Sequence, residues 1–338
     1  MQGKSHPASP IDECLIVQPI DQIGHELLRE AGIMPRMARS ADMSDIAAEI
    51  ANATAVVTRN AGLSTAAILA ARSLKVIAVQ GIGVDPVDVS MATLRGIPVI
   101  NTPFANVQSV AEHAIALLLA LTKTIPAADR AARRLDATYR YRAPLIELAG
   151  KVFGVIGFGR IGQATAVLAR QMGMRVVAYS PSRGSDVFES LGAARLSLEE
   201  LLSCSDFISL HLPATPHTEG LIGKKQIGRM KRGAYLVNTG RASTIDETAL
   251  MEALSSGHLA GAGLDVFSEA SIQDDHPLAA LENVILTPHI AGSTVEAMER
   301  AARSLAAGII AVVQDRKPDH LVNPQAWQDR WWARLERT

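Results

Sequence analysis

The chain of 338 residues has little of what would mark a secreted, membrane-embedded or nucleic-acid-binding protein. Its two cysteines, Cys14 and Cys204, can build neither a disulfide framework nor a zinc site, and both read as small buried hydrophobes in a reducing compartment. No metal is expected. There is no excess of one charge: 33 basic against 34 acidic residues leave a net charge of −1, which offers nucleic acid or an anionic membrane no electrostatic attraction. The longest apolar run, Ala114–Thr122, falls far short of the ~20 residues of a membrane span. Met1–Glu13 is polar, carries two prolines and lacks the apolar centre of a secretory signal, so a cytoplasmic location is expected. No short-period repeat and no low-complexity segment occurs.

What the chain does contain is apolar material, 48% of residues, in a length that suits two domains better than one. Short apolar runs alternate with amphipathic segments in two stretches. In the first, Cys14–Val17, Ala55–Thr58, Lys75–Val79 and Val99–Ile100 read as strands, with helices over Asp21–Ala31 and Thr65–Ala71, the latter capped by Ser64. A long helix follows, with Ser109 and Glu112 as its capping box and Pro126 as its break. Arg130, Arg133, Arg134, Arg140 and Arg142 read as a solvated face interrupted by Asp129 and Asp136. In the second stretch, Val152–Ile156, Arg175–Tyr179, Phe207–Leu210, Ala234–Asn238, Gly261–Leu264 and Val284–Leu286 read as strands. Such alternation predicts an α/β protein with parallel sheets covered by helices on both faces.

Gly157-Phe158-Gly159-Arg160-Ile161-Gly162 follows a strand without a polar residue and opens a helix, the context in which a G-x-G-x-x-G loop binds a dinucleotide. Gly157 allows the tight turn, Gly159 lets the backbone approach the pyrophosphate, and Gly162 lets helix and strand pack closely; the helix N-terminus presents N–H groups to the phosphates. After the second strand such a fold usually carries a carboxylate for the adenosine ribose. Here the strand ends in Ser180-Pro181-Ser182-Arg183. Two hydroxyls and a guanidinium suit a 2′-phosphate, so NADP is favoured over NAD. Three later strand ends carry Arg241, Asp265 and His289. Ligands of an open parallel sheet bind beyond the carboxyl ends of its strands, so these residues should converge there. A planar guanidinium suits the oxygens of a 2-keto acid, and an imidazole suits proton exchange with the C2 oxygen.

These motifs, in this order, resemble the D-isomer-specific 2-hydroxyacid dehydrogenase family from about residue 50 to 323. They are Val79-Gln-Gly-Ile-Gly-Val-Asp85, Asn106 through His113, Gly157–Gly162, His211-Leu-Pro213, Asn238–Arg241, Asp265-Val-Phe267 and Thr287-Pro-His-Ile290. The resemblance implies a Rossmann dinucleotide-binding domain, 104–290, inserted into a flavodoxin-like substrate domain made of 1–103 and 291–338, with the cleft at their junction. It implies that Gly81-Ile82-Gly83 hold the substrate carboxylate through backbone N–H groups, and that Arg59 lies on the substrate side. Arg241 would orient the substrate, and His289 would be the acid/base. Arg160, Ile161, Thr239, Asp265 and Gly292 would touch the cofactor. A homodimer built through the helix after Ser109 is also implied, as is a small 2-keto or 2-hydroxy acid as substrate.

One departure bears on chemistry. Relatives place a Glu five residues after the Asp of the Asp-Val-Phe segment, as partner of the histidine. Here that position is Ala270, so Glu269, one residue earlier, is the candidate, with Asp274 and Asp275 as substitutes. A displaced Glu would also suit a dinucleotide-sensing scaffold with little turnover, whereas Arg241 and His289 favour an enzyme. His113 reads as a satisfied packing residue, and Trp327, Trp331 and Trp332 as a patch that packs on the substrate domain or a partner, or caps the cleft.

Overall fold

The computed structural model describes residues 12–268 and 276–335. It divides into two compact units: Met1–Asn106 with Thr294–Thr338, and Val107–Ser293.

The first unit is built on five parallel strands, β1 (Glu13–Ile16), β2 (Met34–Met37), β3 (Ala55–Thr58), β4 (Val76–Val79) and β5 (Val99–Asn101), in the order β2-β1-β3-β4-β5. This is the flavodoxin-like order. Because side chains alternate across a strand, β3 and β4 feed two cores. Val56, Ile77 and Val79 join Ile46, Ile50 and Ile68 on one face. Ala55, Val57, Val76 and Ala78 meet Leu28, Leu305, Ala306, Ile309 and Val312 on the other. The last four lie on the helix Val295–Val313, which explains why the C-terminal stretch belongs to this unit. The edge at β5 is closed by Asn323. Its Oδ1 accepts from Val99 N at 2.7 Å, and its Nδ2 donates to Ile97 O at 3.0 Å and Thr93 Oγ1 at 2.9 Å. Trp331 Nε1 donates to Leu74 O and Trp332 Nε1 to Asp315 Oδ1, so this pair of tryptophans is tied into the same unit.

The second unit carries seven parallel strands: β6 (Val152–Ile156), β7 (Arg175–Tyr179), β8 (Ala194–Arg195), β9 (Phe207–Leu210), β10 (Ala234–Asn238), β11 (Leu259–Leu264) and β12 (Val284–Leu286). Their order is β12-β11-β10-β9-β6-β7-β8. Chain order reverses between β6 and β9, the switch point at which doubly wound folds bind dinucleotides. Phe153 and Val155 of β6 share one core with Phe158, Phe188, Phe207 and the helix Val107–Thr122; Ile156 shares the other with Leu210, Leu236 and Leu264. Gly154 is required here, since a Cβ would stand 2.4 Å from Ser205 Oγ and 2.7 Å from Leu201 Cδ2.

Three features differ from expectation. The helix expected to start at Ser109 begins at Val107, and Ser109 is buried within its first turn, so Ser109 and Glu112 form no capping box. β2 was not expected: its sequence Met-Pro-Arg-Met has no apolar run, and its proline is tolerated because β2 is an edge strand. β8 was not expected either, being two exposed residues at the other sheet's edge. Among the described residues no single helix is long and apolar enough to cross a membrane.

Candidate functional site

The glycine loop of the second unit has the geometry its sequence demands. Gly157 stands at φ +95°, and a Cβ there would lie 2.6 Å from His211 O. At Gly162 a Cβ would lie 2.1 Å from Gly157 O, so any side chain would push the helix Arg160–Gln171 off the turn. Gly159 is the opposite case: among the described residues, its chain neighbours aside, no atom lies within 4 Å of the space its Cβ would fill. It is also the N-cap of that helix, and no side chain caps the first turn. Open space beside uncapped N–H groups at the positive end of a helix of 12 residues fits a pyrophosphate. Arg160 and Ile161 form the first turn.

At the end of β7 Ser180 is buried, while Ser182 and Arg183 are exposed. Ser180 Oγ lies 3.4 Å from Ser182 Oγ. Residues 180–183 include no carboxylate that would repel a 2′-phosphate.

The loop after β10 is held by Asn238, the first residue of the Asn238–Arg241 motif, to which sequence reasoning gave no role of its own. Its Oδ1 accepts from Gly240 N at 2.9 Å, and its Nδ2 donates to Arg241 O at 3.0 Å. Thr244 Oγ1 donates to the same carbonyl at 2.7 Å. Arg241 is thus fixed at its backbone, and its Nη1 donates to Gly240 O at 2.9 Å. Thr239 Oγ1 sits 3.5 Å from His211 Nδ1, while Ser209 Oγ sits 2.9 Å from His211 Nε2. Burial pushes the His211 imidazole down to about 3, so it is neutral at physiological pH.

The loops after β11 and β12 are knitted together by Asp265. Its carboxylate accepts from Thr287 Oγ1 at 2.6 Å, Ile290 N at 3.0 Å and Ala291 N at 2.9 Å. His289 N donates to Asp265 O at 3.0 Å. His289 itself has φ +55°, a left-handed conformation that costs a non-glycine residue roughly 1 kcal/mol or more and persists only where surroundings impose it. Those bonds impose it. Arg241, Asp265 and His289 therefore stand at the carboxyl ends of three successive neighbours in one sheet, with Gly292 one residue beyond the Asp265 anchor. Glu269, Ala270, Asp274 and Asp275 lie outside the described residues. The residues flanking them share one carboxylate. Glu247 Oε2 accepts from Ser268 N at 3.0 Å and Ser268 Oγ at 2.8 Å, and Glu247 Oε1 lies 3.4 Å from His276 Nε2.

In the first unit Gly81 has φ +143°, which favours glycine. The Gly81 N–H donates to Thr102 Oγ1 at 2.9 Å, and its carbonyl accepts from Thr102 N at 3.0 Å, so its amide is committed within the fold. The Ile82 and Gly83 amides are the other two donors expected of this loop. Asn101 Nδ2 steadies it by donating to Ile82 O at 2.8 Å. Arg59 Nη1 donates to Pro19 O at 3.3 Å, and burial lowers its pKa. Gln18 Oε1 shapes its loop by accepting from Arg59 N and Ala61 N. Gln18, Asn101 and Thr102 carry no motif of their own, which is why sequence reasoning passed over them.

Residues 115–291 match the family model described as D-isomer specific 2-hydroxyacid dehydrogenase, NAD binding domain. The chain is 43% identical over 280 residues to D-3-phosphoglycerate dehydrogenase of Mycobacterium tuberculosis, covering 82% of this chain and 53% of that one. It is 41% identical over 259 residues to glyoxylate reductase of Korarchaeum cryptofilum, covering 76% and 78%. It thus spans about half the length of the phosphoglycerate dehydrogenases it matches. Among solved structures, D-lactate dehydrogenase of Aquifex aeolicus complexed with NAD and lactic acid superposes with TM-score 0.83 at 29% identity, covering 92% of this chain and 99% of that one. The NADPH-dependent glyoxylate/hydroxypyruvate reductase of Sinorhizobium meliloti in complex with NADP and malonate superposes with TM-score 0.82 at 27% identity, covering 94% and 98%. The glycine turn, the Asp265-anchored His289 loop and these likenesses coincide in one chain, which belongs to the D-isomer specific 2-hydroxyacid dehydrogenase family.

Proposed function

We propose that this chain is an oxidoreductase that exchanges a hydride between a nicotinamide dinucleotide and C2 of a small D-2-hydroxy acid or its 2-keto acid, of the glyoxylate, hydroxypyruvate or 3-phosphoglycerate type. The observation that carries this reading is the presentation of Arg241 and His289 on braced loops at the carboxyl ends of β10 and β12, on either side of β11, in the sheet that bears the glycine turn. The cofactor, when bound, supplies or accepts the hydride. In reduction, His289 gives its proton to the C2 oxygen, and in oxidation it takes that proton back. Arg241 binds carboxylate or carbonyl oxygens through its planar fork. Ile82 and Gly83 donate backbone N–H groups to the carboxylate, with Arg59 on the same substrate side. Glu269 is the proposed carboxylate partner of His289. Gly157, Gly159, Arg160, Ile161 and Gly162 hold the pyrophosphate, and Thr239, Asp265 and Gly292 line the nicotinamide end. Ser180, Ser182 and Arg183 favour NADP(H), with NAD(H) as the second candidate.

The test is a panel of 2-keto acids with NADPH and NADH, read at the nicotinamide absorbance. His289→Ala should lower kcat by ~10²–10⁴ with cofactor binding near normal. Arg241→Lys, which keeps the charge but loses the fork, should raise KM and lower kcat together. The double change Ser180→Asp with Arg183→Ala should turn an NADPH preference of ~10-fold or more toward NADH, since one hydrogen bond to a charged group is worth ~1.5–3 kcal/mol. No turnover across the panel would sink the enzymatic reading and favour a dinucleotide-sensing scaffold. A tenfold preference for NADH in the unmodified protein would sink the cofactor assignment alone.

A further inference from the structure

His113 lies on the helix Val107–Thr122, where its sequence context suggests a residue that merely packs. Its surroundings say more. Its Nε2 is 3.0 Å from Thr287 Oγ1 and 3.6 Å from Asp265 Oδ1. The Thr287 hydroxyl has one proton and gives it to Asp265 Oδ1 at 2.6 Å. Toward His113 that oxygen can only accept, so His113 Nε2 carries a proton and donates it. The Asp265 carboxylate, 1% exposed, also accepts from the amides of Ile290 and Ala291, the two residues that follow His289. A chain of hydrogen bonds thus runs from the helix through the Thr287 hydroxyl to the Asp265 carboxylate, which accepts from the turn that holds His289 at φ +55°.

We propose that His113 is a positioning residue for His289. Its N–H orients the Thr287 hydroxyl toward Asp265, and Asp265 so oriented holds the Ile290 and Ala291 amides that aim the imidazole. Without that donor the hydroxyl loses the partner that fixes its rotamer, Asp265 Oδ1, itself buried, loses a directed donor, and the left-handed turn relaxes. The inference rests on the reading of His289 as acid/base for its kinetic arm only.

The experiment compares His113→Leu, of similar size without a donor, with His113→Gln, whose amide can donate from a similar position. Turnover with the best 2-keto acid is measured beside hydrogen exchange of the segment 287–293. His113→Leu should lower kcat about tenfold, the worth of one well-placed hydrogen bond, with KM for keto acid and cofactor within about threefold. Exchange at the Ile290 and Ala291 amides should quicken about tenfold, and His113→Gln should restore both quantities. Thr287→Val, compared with Thr287→Ser, repeats the contrast from the other end of the contact should His113→Leu fold poorly. Unchanged exchange in His113→Leu and Thr287→Val, or equal behaviour of the Leu and Gln variants, overturns the proposal. If the unmodified protein reduces no 2-keto acid, the functional reading fails while the exchange comparison still decides whether His113 braces the turn.

Discussion

Three glycines of one loop show how a single missing Cβ can serve different ends. Gly157 and Gly162 are demanded by the fold, because the atoms a Cβ would meet at 2.6 Å and 2.1 Å are main-chain carbonyl oxygens. Gly159 is demanded by nothing among the described residues, and its backbone at φ −75° is one any residue adopts. On the proposed function, its smallness leaves room for the pyrophosphate. Gly159→Ala should therefore leave stability within about 0.5 kcal/mol of the parent, as for a substitution that meets no neighbour. The same change should weaken dinucleotide binding tenfold or more, because a methyl group would occupy the space beside the uncapped N–H groups. Calorimetric titration with NADPH, paired with thermal unfolding, separates the two effects. Unchanged affinity would mean that the phosphates do not approach on this side.

At the scale of the element, legibility followed burial. β3, β4, β6, β9 and β10 are buried on both faces, so their sequences are short apolar runs bounded by polar residues, and the runs were readable. β2 and β8 lie at sheet edges, one face or both in water, and their residues carry no such pattern. The helix at Val107 misled because Ser109 and Glu112 have capping-box spacing, whereas helix starts are set by where the preceding loop delivers the chain. The motif residues were legible for a similar reason: glycines, Arg241, Asp265 and His289 sit at strand ends, where a fold of this kind concentrates chemistry. The roles of their supports were not. Thr102, Asn101 and Thr287 work through hydrogen bonds made only when separate segments meet, and Asn238 through bonds to Gly240 and Arg241 that exist only once the loop has turned.

His211, at the end of β9, supplies a test at this scale. Burial pushes its pKa from 6.5 in the unfolded chain to about 3 in the folded one. Between those values the unfolded state binds the extra proton, so stability falls as pH falls. The slope is at most ~1.4 kcal/mol per pH unit for one group, and less to the extent that water reaches the ring. His211→Gln keeps a hydrogen-bonding side chain that does not titrate. The stability difference between the parent and this variant, by urea unfolding at pH 7.5, 6 and 5, should shift progressively against the parent as the pH drops. A difference independent of pH would show that folding leaves the His211 pKa where it is in the unfolded chain.

For the whole molecule, the segregation of contacts has a consequence for where cofactor binding resides. Every residue assigned to the dinucleotide lies in Val107–Ser293, as do both cores that support them. Sheet order, glycine turn, the Asn238 clamp and the Asp265 anchor are all internal to that segment. The first unit, by contrast, needs both ends of the chain, since Leu305, Ala306, Ile309 and Val312 cover one face of its sheet and Asn323 closes its edge. Residues 107–293 expressed alone should thus fold cooperatively and bind NADPH. Saturation at 100 times Kd should then stabilise the fragment by about 2.7 kcal/mol, because a ligand that binds only the native state adds RT ln(1 + [L]/Kd). Residues 1–106 alone should expose the apolar face that the helix Val295–Val313 covers, and should bind a hydrophobic dye and aggregate. Thermal unfolding of each fragment with and without NADPH decides the matter. A fragment 107–293 that folds but gains nothing from NADPH would place part of the dinucleotide site on residues of the first unit.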